Sequence, residues 1–552
     1  MVRKELSLLC LRCLLISILL SGAALIMSQK YVLASDPHSF QQAKERDSGH
    51  QENSSSSSEP ARKEEAKQSA DGDDKGRLGF DEPTVTHHSI KIKDRTLNYT
   101  AVAGCLPVQD TSGKPEARIF FIAYEREEQE NKTIRPITFA FNGGPGASSV
   151  YLHLGALGPK RMILKDEGNN PAPPYTLREN EYTWLDFTDL VFIDPVGTGY
   201  SRPGSEVDQK KFSDVKEDIR SVAEFIRLYT TKFKRWSSPK FIAGESYGTT
   251  RAAGLSGYLQ DKLNMNLNGL ILISPVLDFS TIMFDEGNDL PYSLFLPAYT
   301  ATAWYHQKLS PALQSKGLTE ILGEVEDWSF REYYPSLVKG SALPDVERRH
   351  VIEQLVYYTG LPSTLIDQKN LRLTQGEYSR ELMRPEHRTL GILDSRFLAI
   401  DPDPTKEYDE FDPALFLVTG PYGAAMNDYV RNELHYETDL TYEVLNQDVN
   451  RSWNWRSGIS GRQGYLNVVD TLRRAMSKNS HLKTFIASGY YDLATPYFAA
   501  TYTLNHLGFD PALKKNVTIS YYEVGHQMYV HLPSLSKLTG DVAAFIKQFP
   551  PE

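Results

Sequence analysis

Short apolar runs separated by amphipathic stretches dominate the chain from about residue 85 onward. Positions 137–141, 190–193, 241–243, 270–274, 484–487 and 518–522 are rich in Ile, Leu, Val, Phe, Thr and Tyr. Brief runs of this kind with little strict alternation are what strands covered on both faces require. Between the second and third run, Val215, Ile219, Val222 and Ile226 recur at helical spacing; Val542, Phe545, Ile546 and Phe549 do so near the C terminus. Strands alternating with such helices predict an α/β domain, a mostly parallel central sheet with helices on both faces. The stretches 89–103 and 117–124 predict an antiparallel opening bridged by Gly and Pro.

The strand rhythm stops between Ser280 and about Arg462, a segment rich in helix formers and in aromatics such as Trp304, Trp328, Tyr333 and Tyr358. A structureless loop of that length does not fit a compact domain. The segment 281–462 is therefore expected to be a helical cap inserted between a first core part, 81–280, and a second, 463–552. Residues 35–80 are polar, with Ser54 to Ser58 and mixed charges, and predict a disordered linker.

The first 34 residues have the composition of an export signal. Arg3, Lys4 and Arg12 precede or border an apolar run from Leu14 to Met27, and Val32-Leu33-Ala34 before Ser35 offers a cleavage point. The run is short for a membrane span, which needs roughly 20 residues. The expectation is a secreted or periplasmic protein; an uncleaved signal anchor is the alternative and alone would bring membrane contact. Cys10 and Cys13 lie inside the signal, so its removal leaves Cys105 without an internal disulfide partner, which suits a bacterial export better than a disulfide-rich eukaryotic one. Sequons occur at Asn98, Asn131 and Asn516.

A formal charge of −10 argues against a polyanionic partner such as nucleic acid, and three Cys give no zinc, haem or iron–sulfur spacing. Neither a metal nor an organic cofactor is implied. The candidate chemistry lies elsewhere. Gly244-Glu245-Ser246-Tyr247-Gly248 is a G-x-S-x-G pentapeptide with a predicted strand before it and a helix, 249–255, after it. In that context a sharp strand-to-helix turn lifts the serine hydroxyl from the sheet's top edge, the nucleophile elbow of the α/β-hydrolase fold. A serine needs a base, and the base a carboxylate; in this fold they follow in the order Ser, Asp or Glu, His. Asp492 and His526 stand just past the runs 484–487 and 518–522, in the required order. Asn142-Gly143-Gly144-Pro145-Gly146 follows the run 137–141, where backbone N–H groups can approach a developing oxyanion. The N–H groups of Gly144 and Tyr247 are the expected donors.

Together these stretches resemble the serine carboxypeptidases. Ser148-Ser149, Gly155-Ala156-Leu157-Gly158-Pro159, the stretch from Asn180 to Trp184, Asp194-Pro195-Val196-Gly197-Thr198-Gly199-Tyr200-Ser201 and Gly525-His526 extend the resemblance over roughly 85–280 and 460–550. It implies removal of single residues from peptide C termini, with the substrate carboxylate bound by Asn142, Gly143 and Glu245. Two carboxyl groups in contact must share a proton, so such binding favours acidic pH. Ala140 and Ala147 depart from the pattern of the eukaryotic members, which carry Trp and a disulfide Cys there. The alternatives are an esterase or acyltransferase using the same three residues, an aminopeptidase of the same fold, and a non-catalytic binding protein on a hydrolase scaffold.

Overall fold

The computed structural model describes residues 82–549 except 111, 128–133, 165–171, 205–206, 407–410 and 459–463. The expected signal, the linker, Cys10, Cys13 and the Asn131 sequon lie outside the described residues. Nine strands form the central sheet: β1 (Thr84–Ile92), β2 (Arg95–Gln109), β3 (Pro115–Arg126), β4 (Ile137–Phe141), β5 (Asp189–Ile193), β6 (Lys240–Glu245), β7 (Gly269–Ile273), β8 (Lys483–Gly489) and β9 (Val517–Tyr522). Their spatial order is β1-β2-β3-β5-β4-β6-β7-β8-β9, and the two-residue strand Arg202–Pro203 joins β3 as a tenth. Pairing is antiparallel from β1 to β5 and parallel from β5 onward. This is an α/β-hydrolase fold with a mixed, mostly parallel sheet.

The opening differs from the sequence expectation in one respect. Positions 89–103 are not one strand but the end of β1, a turn at Lys93-Asp94 and the start of β2, with Ile92 paired to Arg95. Lys93 sits at φ 54°, a left-handed conformation that glycine or asparagine ordinarily signals. A lysine there hides the turn.

Side chains alternate across the sheet, so each strand feeds two cores. Ile137, Phe139 and Phe141 of β4 pack with Val222, Phe225 and Ile226 of helix α1 (Val215–Lys232) and with Ala252 and Leu255 of helix α2 (Tyr247–Leu263). Ala140 points to the opposite core, among Phe545 and Ile546 of the C-terminal helix Leu532–Ile546. That second core also takes Val418, Tyr422, Met426 and Tyr429 from Pro413–Asn432, a long helix inside 281–462. The rest of that segment is mainly helices, with one two-stranded ribbon of Arg388–Leu390 and Leu398–Ile400. Its helices enclose a third core, around Phe295, Tyr299, Trp328 and Tyr378, that also takes Tyr497 and Phe498 from just past β8. Cys105 is buried, with its sulfur 3.6 Å from the Tyr436 hydroxyl. Asn516 of the last sequon is buried, and its amide nitrogen donates to the Ser480 carbonyl at 2.8 Å. Among the described residues no helix is long and apolar enough to cross a membrane.

Candidate active site

The parallel strands β6, β7, β8 and β9 end side by side, and the expected site residues leave from those ends. Ser246 directly follows β6 at φ 60°, ψ −131°, and its N–H donates to the Ile273 carbonyl at the end of β7. A serine held in that strained region is the backbone signature of an elbow. Gly244 is required by contact: a Cβ there would come within 2.3 Å of the Gly248 carbonyl oxygen.

Asp492, which follows β8, is fully buried at 0% exposure. Its Oδ1 accepts from the backbone N–H of Ala494 at 2.8 Å and of Thr495 at 2.9 Å. Its Oδ2 lies 2.8 Å from the Thr495 hydroxyl and 2.7 Å from Nδ1 of His526. An ionised carboxylate can only accept, so Nδ1 carries the proton and Nε2 is left as the basic nitrogen. Burial works to lower the pKa of His526; the Asp492 charge and hydrogen bond outweigh it, and the net direction is upward. Ser246 and His526 line the same cavity of about 320 Å³. The Ser246 hydroxyl makes no hydrogen bond to the ring among the described residues; such contacts commonly tighten only with substrate in place.

Residues of the inserted segment hold both loops. The Leu493 N–H donates to the Ile392 carbonyl at 2.9 Å, that of His526 to Leu393 at 2.6 Å and that of Ser395 to Tyr491 at 3.0 Å. Gly525 donates to Oδ2 of Asp394 at 3.0 Å, and Asp394 is in turn paired with buried Arg396 at 2.7 Å. Asp412, on the cavity wall, is occupied by the N–H groups of Ile392, Leu393 and Ala414.

The glycine-rich loop after β4 presses directly on the elbow. A Cβ on Gly143 would lie 2.5 Å from the Tyr247 nitrogen and 2.6 Å from that of Gly248. Gly143→Ala is therefore expected to push the loop off the elbow and separate the expected Gly144 and Tyr247 donors. Loss of one such donor costs about 10²–10³ in kcat, so a fall of that size with a retained far-ultraviolet circular dichroism spectrum is predicted; an unchanged kcat would contradict it. Beneath the loop, Arg251 donates to Asp218 at 2.8 Å and to the Asn142 carbonyl at 2.7 Å, while the Tyr247 hydroxyl donates to Asp218 at 3.1 Å. These buried charges are paired, as burial demands. They tie the loop, the elbow and α1 together.

Asn142 and Glu245 meet each other directly. Asn142 Nδ2 donates to Oε1 of Glu245 at 2.7 Å, and its own Oδ1 accepts from the Leu152 N–H at 3.0 Å. The Tyr529 hydroxyl donates to the same Oε1 at 3.1 Å. Oε2 of Glu245 is buried and has no hydrogen-bond partner among the described residues. Burial pushes the carboxyl pKa up to about 7, against the His526 charge and the Tyr529 and Asn142 hydrogen bonds, which pull it down; the Asp492 charge adds to the rise. Glu245, Asn142, Gly143 and Gly144 line the cavity that holds Ser246 and His526.

Thr495, Tyr529, Arg251, Asp218 and Asp394 were not singled out by sequence. Asp218 did leave a signal: it stands three residues after Val215 and four before Val222, on the apolar stripe of α1. A carboxylate on a buried stripe needs a buried cation. Nothing in the spacing around Tyr529 or Asp394 marked them. Among the described residues no group of His, Cys, Asp and Glu could hold a metal ion.

The fold and the elbow define an α/β-hydrolase. A family model of the serine carboxypeptidases matches residues 92–315. Serine carboxypeptidase-like 34 of Arabidopsis thaliana is 28% identical over 229 residues, covering 40% of this chain and 41% of that protein. Serine carboxypeptidase-like 35 of the same plant is 30% identical over 167 residues, covering 28% and 33%. The chain thus spans about two fifths of the length of the first curated relatives it matches. In fold it is similar to Kex1(delta)p, a prohormone-processing carboxypeptidase of Saccharomyces cerevisiae, with a TM-score of 0.50 and 16% identity over 81% of this chain and 91% of that one. Over residues 92–315 the chain is thus similar to the serine carboxypeptidases.

Proposed function

We propose that this chain is a serine-type carboxypeptidase that releases C-terminal residues from peptides through an acyl-enzyme. The Ser246 Oγ attacks the scissile carbonyl carbon while Nε2 of His526 takes its proton, and Asp492 holds the ring and stabilises the imidazolium. The N–H groups of Gly144 and Tyr247 receive the oxyanion. The imidazolium then protonates the leaving amine, and water repeats the sequence to free the acyl group. Asn142, Gly143 and Glu245 hold the terminal carboxylate of the substrate.

The observation that carries this reading is the state of Glu245. It is a buried carboxyl, 3% exposed, with both donors on Oε1, an Oε2 without a partner among the described residues, and Ser246 in the same cavity. Near its pKa of about 7 it retains a proton in weakly acidic solution and can donate it to a second carboxylate. Above that pH two like charges meet and binding fails. The sign follows: KM for a free-acid peptide is low in acid and rises with pH through the titration of the enzyme–substrate carboxyl pair, which titrates as a unit.

Glu245→Gln tests this. Asn142 and Tyr529 fix the glutamine oxygen at Oε1, so its amide N–H₂ takes the place of Oε2 and donates at any pH. The wild-type KM for an N-blocked dipeptide is expected to rise about tenfold between pH 5 and 8, the worth of one hydrogen bond to a charged group. In the variant that rise flattens, and in the matching C-terminal amide it is absent from the start. Equal pH dependence of acid and amide in the wild type would point to an esterase or acyltransferase instead.

A further inference from the structure

Tyr529 lies in the short turn Met528–Val530, three residues past His526, and is buried. Its hydroxyl reaches back across 284 positions to Oε1 of Glu245. Asn142 donates to that same oxygen from the opposite loop, and no described group donates to Oε2. A carboxyl whose one oxygen already accepts two hydrogen bonds carries its proton on the other.

We propose that Tyr529 is a positioning residue for substrate recognition: with Asn142 it pins Oε1 of Glu245 and so reserves Oε2 for the terminal carboxylate of the peptide. The inference rests on the carboxypeptidase reading and assigns to this chain a component of the site that lies outside its glycine-rich loop and elbow. Tyr529 does not touch the reacting atoms; it acts through Glu245. Its phenol stays protonated throughout the working range, because burial first and the Glu245 charge next raise its pKa well above the usual value. It is therefore a donor at every pH of interest. The groups that bear on Glu245 are the charges of His526 and Asp492, the amide of Asn142 and the phenol of Tyr529; the phenols of Tyr151 and Tyr422 also feel its charge. Tyr529→Phe removes one hydrogen bond and leaves the other groups in place.

Two consequences separate positioning from mere packing. Without the phenol, Oε1 keeps only the Asn142 bond and the carboxyl is less firmly oriented, so KM for a free-acid N-blocked dipeptide at pH 5 rises about fivefold, with a smaller change in kcat. The lost hydrogen bond also favoured the charged form of Glu245. Its carboxyl therefore holds the proton to higher pH, and the rise of KM with pH moves upward by several tenths of a pH unit.

The experiment is KM and kcat against pH for the full chain and Y529F, each with the free-acid dipeptide and its C-terminal amide. The expected result is a higher acid-to-amide KM ratio at pH 5 and an alkaline displacement of the acid profile. A variant profile that overlays the wild type, or one in which acid and amide lose kcat equally, overturns the role of Tyr529. If the wild type itself shows no difference between acid and amide, the carboxypeptidase reading fails, and this inference with it. Thermal melting of Y529F within a few degrees of wild type establishes that a folded protein was measured.

Discussion

Replacing Ser246 with alanine is expected to abolish peptide hydrolysis, with a loss on the order of 10⁶ in kcat, as for removal of the nucleophile in a triad enzyme. The fold is expected to survive. Ser246 already occupies φ 60°, and alanine meets the same backbone strain there, not a new one. The hydroxyl makes no hydrogen bond among the described residues, so its loss orphans no buried partner. Melting within a few degrees of wild type, together with absent turnover of an N-blocked dipeptide, is the expected pair of results. A folded variant with wild-type-like turnover would remove Ser246 from the mechanism.

The second large effect is expected at Asp492, and the structure gives its direction. In Asp492→Asn the N–H groups of Ala494 and Thr495 still point at Oδ1, so the amide oxygen settles there. The amide nitrogen then faces Nδ1 of His526, which lies 2.7 Å from Oδ2 in the wild type. Two N–H donors cannot face each other, so His526 moves its proton to Nε2, the nitrogen that must accept from Ser246. The expected loss is about 10⁴ in kcat near neutral pH, the cost of holding the base in the wrong tautomer. It is checked by kcat of the variant beside its heteronuclear imidazole spectrum. A loss below tenfold would show that Asp492 does not set the ring.

The sheet was legible because strands buried on both faces carry nearly uninterrupted apolar runs, and 137–141 coincides with β4. The run 270–274 overshoots, since β7 ends at Ile273 and Ser274 turns at φ 50°; other strands extend beyond their apolar centres where polar ends have specific tasks. Asp189 at the start of β5 receives Arg135 at 2.6 Å and Arg235 at 2.8 Å, and Glu245 at the end of β6 belongs to the site. Neither residue advertises a strand by hydrophobicity. Ser246, Asp492 and His526 were legible because a strand end followed by a short loop leaves few places for each to be. Asp492 and His526 meet directly, and Ser246 lines the same cavity as His526.

What sequence could not supply is contact between distant segments. Tyr529 reaches Glu245 across 284 positions, and Arg251 reaches Asn142 across 109. The clamp of residues 392–396 on the Asp492 and His526 loops is made mostly of backbone groups, which no residue type announces. The inserted segment was expected as a cap, and its helix Pro413–Asn432 also supplies Tyr422 and Tyr429 to the core against the sheet. An apolar helical stripe reads the same whether it faces a cap or a sheet.

The central claim is that Ser246 acts beside a carboxyl that recognises a free peptide C terminus. The most direct measurement is kcat/KM of the wild-type protein for one N-blocked dipeptide as free acid and as C-terminal amide, each at pH 5 and pH 8. The account predicts that the free acid is strongly preferred at pH 5, with release of its terminal amino acid, and that the preference collapses by pH 8 as the carboxyl pair loses its shared proton. An amide hydrolysed as well as the acid at both pH values would contradict it.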